Sequence, residues 1–286
     1  MTALRVGVIG VGHLGRHHAR LLSGLPGVDL VAVVDINRAR AEEIARASGT
    51  QALTDARELL GRVDAVSVAV PTEAHHDIVL PFLAAGVAAL VEKPMARSLA
   101  EADAMIHAAA KTGAVLAVGH TERFNPAVAA ARPLLTRPRF IEVHRLGTFP
   151  ERSLDIDVVF DLMIHDLDVV LSLVDSEVEA VEAVGVPVLT GRVDIANARL
   201  RFADGCIANL TASRISREPV RKIRFFQPAA YLSIDYGAQK VEMWRLVKSG
   251  ATATIDGGEV SVQNEEPLKR ELEDFVDAVV SRRAPL

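Results

Sequence analysis

Apolar residues are patterned in two ways along this chain. Through about the first 120 positions they come in short unbroken runs, and beyond that they alternate with polar residues. Val6-Gly7-Val8-Ile9, Val31-Ala32-Val33-Val34, the stretch 64–70, Ala88-Ala89-Leu90-Val91 and Val115-Leu116-Ala117-Val118 are small or β-branched runs. Runs of this kind suit strands buried on both faces. Helical stretches separate them: one ending near Leu22, then 39–47, 74–84 and 98–110. Ser98 reads as the N-cap of the last, with Glu101 three residues on completing a capping box. Strand and helix in alternation predict a doubly wound parallel sheet, an α/β architecture.

After Gly119 the spacing changes. A helical patch covers 158–173, followed by alternating segments at 177–186, 194–202, 206–213, 220–226, 230–235 and 240–247. Turn signals such as Ala203-Asp204-Gly205 and Tyr236-Gly237 divide them, which predicts an open, mostly antiparallel sheet. A closing helix at 268–280 gathers Leu268, Leu272, Phe275, Val276 and Val279 on one face. The expected division is a first domain at 1–120 and a second α/β domain at 121–286.

Composition narrows the class. A chain of 286 residues, 50% of them apolar, exceeds what one core comfortably supports and is too apolar for disorder. The net charge of -5 comes from 32 basic and 37 acidic residues with no basic stripe, so no nucleic-acid partner is expected. The longest apolar run, 82–91, is far short of a membrane span. Met1-Thr2-Ala3-Leu4-Arg5 leads directly into a strand, leaving no room for a signal peptide, and a cytoplasmic location is expected. Cys206 has no cysteine partner, so neither an internal disulfide nor a cysteine metal cluster is expected, and no metal is implied.

Gly10-Val11-Gly12-His13-Leu14-Gly15 follows the first strand and opens a helix, the context in which G-x-G-x-x-G signals dinucleotide binding. Gly10 serves the tight turn, Gly12 the approach of a pyrophosphate, and Gly15 the packing of helix on strand. His13 and Leu14 of the loop are further candidate cofactor contacts, the His13 side chain facing either solvent or the cofactor. Asp35, about 20 residues beyond Gly15, closes the second strand where a carboxylate bonds the adenosine ribose. That carboxylate repels a 2′-phosphate and favours NAD over NADP, with Arg38 offsetting part of the repulsion.

Three later motifs accompany the fingerprint: Val70-Pro71-Thr72-Glu73-Ala74-His75, Glu92-Lys93-Pro94 and Asp161-Leu162-Met163-Ile164-His165-Asp166. In this order the chain resembles the Gfo/Idh/MocA oxidoreductases over nearly its whole length. The resemblance implies an N-terminal Rossmann domain and a C-terminal α/β domain with an open, mostly antiparallel sheet. It implies cofactor contacts from Pro71, Thr72, Glu92 and Lys93, with His75 near the nicotinamide ribose. Gly119-His120-Thr121-Glu122-Arg123-Phe124-Asn125-Pro126 and the segment 160–168 are similar to the UDP-N-acetylglucosamine 3-dehydrogenase branch. That branch forms the ketone which is aminated for diamino-sugar lipid A. A free-sugar or inositol dehydrogenase is the alternative within the family, and a non-catalytic NAD-binding sensor the alternative outside it. Relatives continue past the closing helix with another that packs toward the nucleotide domain; here the chain stops at Leu286, leaving a shorter design or weaker support.

The residues also carry a chemical reading of their own. Lys93 stands at a strand end before a proline, where desolvation would lower its pKa and suit it to exchange a proton with a sugar hydroxyl. Asp161, His165 and Asp168 are spaced to share a helical face, so Asp161 can orient the His165 ring. His165 is the expected general base and Lys93 the electrostatic partner, with the reverse assignment also open. Both are expected at one reacting carbon, between the domains. Glu122, Arg123 and Asn125, with Asp161 and His165, are candidate substrate contacts at the carboxyl end of the last parallel strand. For Arg123, a substrate diphosphate, the nicotinamide carboxamide and a structural pair with Glu122 all remain open. Tyr231, Tyr236 and Trp244 on the second sheet suggest self-association as a dimer or tetramer. His18 carries no functional assignment.

Overall fold

The computed structural model describes residues 3–149, 156–249 and 252–286. They fall into two units, one of Met1–His120 with Leu268–Leu286 and one of Thr121–Pro267.

In the first unit the chain runs β1 (Leu4–Ile9), α1 (Gly15–Leu22), β2 (Val28–Val34), α2 (Arg38–Ser48), β3 (Gln51–Leu53), β4 (Ala65–Val68), α3 (His75–Ala84), β5 (Ala88–Glu92), α4 (Leu99–Thr112) and β6 (Leu116–Gly119). The sheet is parallel in the order β3-β2-β1-β4-β5-β6. Strand order therefore reverses between β1 and β4, the place where ligands meet doubly wound sheets. Val6, Val8, Val33 and Leu90 pack one face of the sheet, and Ile9, Val34, Val66 and Val91 the other. Ser98 caps α4 through its hydroxyl, which accepts the Glu101 N–H at 3.3 Å. The reciprocal half of the capping box differs from the expectation, because the Glu101 carboxylate turns to Arg97, accepting its N–H at 3.1 Å.

The second unit holds α5 (Pro126–Ala131), β7 (Phe140–Leu146), α6 (Ile164–Leu173), β8 (Val178–Val186), β9 (Ile195–Phe202), β10 (Ile207–Ser213), β11 (Val220–Gln227), β12 (Ala230–Asp235), β13 (Lys240–Ser249) and β14 (Thr252–Val260). These strands form one sheet in the order β14-β13-β12-β11-β7-β10-β9-β8. All pairs are antiparallel except β7 with β10. Ile141, Val143, Leu210, Ile223, Phe225 and Ile234 cover one face together with Val169 and Val170 of α6. Cys206 is buried in this core, where burial pushes its thiol up to about 11. Phe226 and Trp244 both stand opposite Tyr231 and belong to the other face. Tyr236, expected there too, is buried with the core instead, because it continues the inward-facing alternation of Leu232 and Ile234, opposite in parity to Tyr231.

The last helix, α7 (Pro267–Ser281), corrects the expected division. Its apolar face was legible, yet Leu272 and Phe275 join the core that contains Val6, Leu22 and Leu90 of the first unit. α7 thus packs on the nucleotide-type sheet.

Candidate active site

The glycine loop behaves as its spacing implies. Gly10 has φ +82°, and a Cβ there would stand 2.7 Å from the Ala69 carbonyl oxygen. A Cβ on Gly15 would collide with the Gly10 oxygen at 1.8 Å, so helix and loop approach closer than any side chain permits. At Gly12 the nearest neighbour of such a Cβ is an Arg40 nitrogen 3.7 Å away, leaving the backbone open to a ligand. No side chain caps α1 and no acidic residue enters its first turn, so the positive end of the helix faces that opening. His13 and Leu14 are exposed beside it. These features form a cradle for a dinucleotide diphosphate.

Asp35 follows β2 and is buried. It accepts the Val11 N–H at 3.1 Å and the Asn37 N–H at 2.9 Å. The arginine beside it is Arg40, with a nitrogen 3.4 Å from Oδ2; Arg38, expected in that role, is exposed at the start of α2. Sequence reasoning favoured the nearer residue, whereas the helical turn brings position 40 back toward the strand end. Ile36, next to Asp35, is 96% exposed, an apolar surface of the kind a base ring covers.

Pro71 and Thr72 lie just after β4, and Glu92 and Lys93 at the end of the adjacent β5. Lys93 is half-buried. Two expectations in this region change. His75 is fully buried, with Nε2 2.9 Å from the Val70 carbonyl oxygen and Nδ1 3.1 Å from that of Pro94. Its ring straps together the segments after β4 and β5 and offers no surface to a cofactor. The Glu92 carboxylate is likewise buried, held by His18 at 3.1 Å and by the Lys93 N–H at 3.3 Å. Its part is to anchor the strand end.

In the second unit, Asp161 sits in a π-helical turn, Val159–Met163, that runs into α6, and His165 is the second residue of α6. Both are half-buried. The wider π turn replaces the regular α-helical register assumed for Asp161, His165 and Asp168; such turns recur at functional sites. Asp168 is buried and forms a two-pronged ion pair with Arg123, with Nε to Oδ2 at 3.0 Å. Arg123 therefore pairs with Asp168, and Glu122 with Arg145 at 3.1 Å. Asn125 is no substrate contact: buried as the N-cap of α5, it accepts the Ala127 N–H and donates to Glu122 and the Tyr236 carbonyl. Both amide protons and the oxygen are thereby engaged.

Arg145 of β7 went unnoticed in the sequence. It is buried, grips Asp166 with contacts of 2.7 and 3.0 Å, and stacks over the Tyr236 ring at 5.3 Å. Burial pushes the Asp166 carboxyl up, outweighing the attraction of Arg145. A strand residue more than twenty positions away gave no local signal of this pairing.

Comparison with known proteins agrees with this picture. A family model described as "Oxidoreductase family, NAD-binding Rossmann fold" matches residues 4–120, and the GFO/IDH/MocA C-terminal domain matches residues 135–227. The UDP-N-acetylglucosamine 3-dehydrogenase of Acidithiobacillus ferrooxidans is 40% identical, with 99% of this chain and 91% of that one covered. A solved structure of that enzyme superposes with a TM-score of 0.92, covering 100% of this chain and 91% of the other at 40% identity. The scyllo-inositol 2-dehydrogenase (NAD(+)) of Bacillus subtilis is 32% identical, with 74% and 68% covered. Levoglucosan dehydrogenase in complex with NADH and L-sorbose, 20% identical, shares the fold at a TM-score of 0.88 over 98% of this chain and 90% of that one. Fold and cradle define an NAD-binding oxidoreductase. The chain belongs to the Gfo/Idh/MocA family.

Proposed function

We propose that this enzyme oxidises the C3 hydroxyl of UDP-N-acetylglucosamine to a ketone, with NAD as oxidant. The observation that carries the reading is similarity spanning 99% of the chain to an enzyme of that name. Bound NAD supplies the hydride acceptor. Gly10, Gly12 and Gly15 seat its diphosphate, Asp35 its adenosine ribose, and Ile36 flanks the adenine. His165, oriented by Asp161, takes the hydroxyl proton while Lys93 stabilises the developing alkoxide. The hydroxyl thus loses its proton to the base as the same carbon loses hydride.

Arg123 is held by Asp168 with its side chain partly exposed, so it offers an ordered donor to a substrate while the carboxylate offsets its charge. The enzyme's site of action is the cytoplasm, where a diffusible NAD pool is available to the cradle. The chain self-associates as a dimer or tetramer through the sheet face bearing Phe226, Tyr231 and Trp244, which light scattering of the purified protein tests.

The deciding experiment follows NADH absorbance with UDP-N-acetylglucosamine, UDP-N-acetylgalactosamine, UDP-glucose, myo-inositol and scyllo-inositol. Turnover confined to the first supports the reading. Preference for an inositol moves the enzyme to the other relatives' activity.

A further inference from the structure

One buried histidine plays no part in the reading above. His18, in α1 beyond the glycine loop, is 1% exposed. Its Nδ1 lies 2.7 Å from Ser67 Oγ of β4, and its Nε2 3.1 Å from Glu92 Oε1. A carboxylate only accepts, so Nε2 carries a proton in that contact, while the Ser67 hydroxyl can turn to donate or accept. The other Glu92 oxygen accepts the Lys93 N–H at 3.3 Å. Gly119, paired with Glu92 across β5 and β6, closes the back of the carboxylate: a Cβ there would stand 3.1 Å from Oε2 and 3.2 Å from Oε1. Three strands and one helix therefore meet around a single carboxylate, and that carboxylate holds the peptide from which the Lys93 side chain springs.

We propose that His18 is a positioning residue for the oxidation: by fixing the Glu92 carboxylate it sets the direction in which Lys93 leaves the end of β5. The proposal rests on the reading of Lys93 as the group that stabilises the alkoxide. A lysine side chain has four rotatable bonds, and its aim depends on where the first one starts. Buried carboxylates seldom stand without a partner, because leaving one unpaired is costly. Removing the imidazole donor lets water or a new rotamer reclaim Glu92, and the Lys93 peptide shifts with it. Displacements well under an ångström at a reacting group are enough to slow chemistry.

Glutamine and asparagine separate the two ring contacts. The amide nitrogen of glutamine falls near the position of Nε2, and that of asparagine near Nδ1. On the sugar that the substrate panel selects, His18→Asn lowers kcat about tenfold or more, whereas His18→Gln stays within about threefold of the parent. KM for the sugar and the NADH dissociation constant, read by fluorescence titration, stay within about threefold in both. Each variant loses one hydrogen bond, so their melting temperatures fall together while their kcat values part. Gly119→Ala presses on the same carboxylate from behind while keeping the His18 side chain, and lowers kcat severalfold at unchanged NADH affinity. It keeps the test decisive should His18→Asn fail to fold. Full kcat in either His18→Asn or Gly119→Ala overturns the proposal, as do equal losses in the Asn and Gln variants that track their melting temperatures. Full turnover in Lys93→Met instead refutes the role of Lys93 itself, a separate result.

Discussion

Asp35 receives two backbone N–H groups and faces Arg40, so its carboxylate is fixed at the strand end where the adenosine ribose is proposed to bind. A 2′-phosphate placed there meets a close like charge that Arg40 offsets in part. Asp35→Ser removes the repulsion and keeps the arginine. Fluorescence titration is expected to show NADPH affinity rising by about tenfold relative to NADH, equivalent to ~1.4 kcal/mol. At Lys93 the expectation is reversed in kind: Lys93→Met lowers turnover about 100-fold or more and leaves NADH affinity within about threefold. A variant that binds NADH poorly would place Lys93 in cofactor retention instead. The close turn at the glycines and the place of Asp35 at a strand end were legible in the sequence because both are local and fixed by spacing. His18 with Glu92, and Arg145 with Asp166, were not, because each pair joins distant segments whose meeting only the sheet order decides.

At the scale of elements, the turn that presents Asp161 and His165 is tethered from outside. The Val158 N–H donates to the Val193 carbonyl at 3.0 Å, and Asp157 accepts the Val193 N–H at 2.9 Å. Next to Val193, the buried Asp194 gathers the N–H groups of Val188, Leu189 and Thr190, the Thr190 hydroxyl and the Arg214 guanidinium. Burial alone would raise its carboxyl, but these donors hold it well below the usual carboxylate range. Because the folded-state value is depressed, the stabilisation is complete above about pH 4, the ordinary carboxylate value, and is lost as pH falls toward the folded one. Asp194→Asn is therefore expected to melt lower at pH 7, and the gap from the parent to narrow below about pH 4. A gap that persists unchanged in acid would locate the effect in packing rather than charge. Most strands of the second sheet were readable from alternation. β7 and β14 were missed: β7 lies inside the sheet yet follows helical segments, and β14 carries Gly257 and Gly258 in its middle.

For the molecule as a whole, hydrophobic periodicity showed that 268–280 buries one face but not against which sheet. Both sheets offer apolar surface, and only the folded chain selects between them. Leu272 and Phe275, fully enclosed, contribute roughly 1.5–3 kcal/mol each by burial. Phe275→Ala is expected to cost the first unit about 3–5 kcal/mol, with a cavity beside Leu22 and Leu90. Urea unfolding followed with and without NADH checks this: the cofactor should recover part of the loss, since it binds only the folded first unit. Loss confined to a transition that NADH leaves unmoved would place the helix with the other unit.

Because α7 packs on a sheet whose first strand begins at Leu4, the nucleotide-holding unit is assembled from two segments that flank the whole second unit in sequence. During folding, its six strands keep one flank bare until α7 docks. A chain in which that helix fails to dock would leave apolar surface of the core that holds Leu22 and Leu90 open to other chains, so protection of this unit from aggregation falls on one helix.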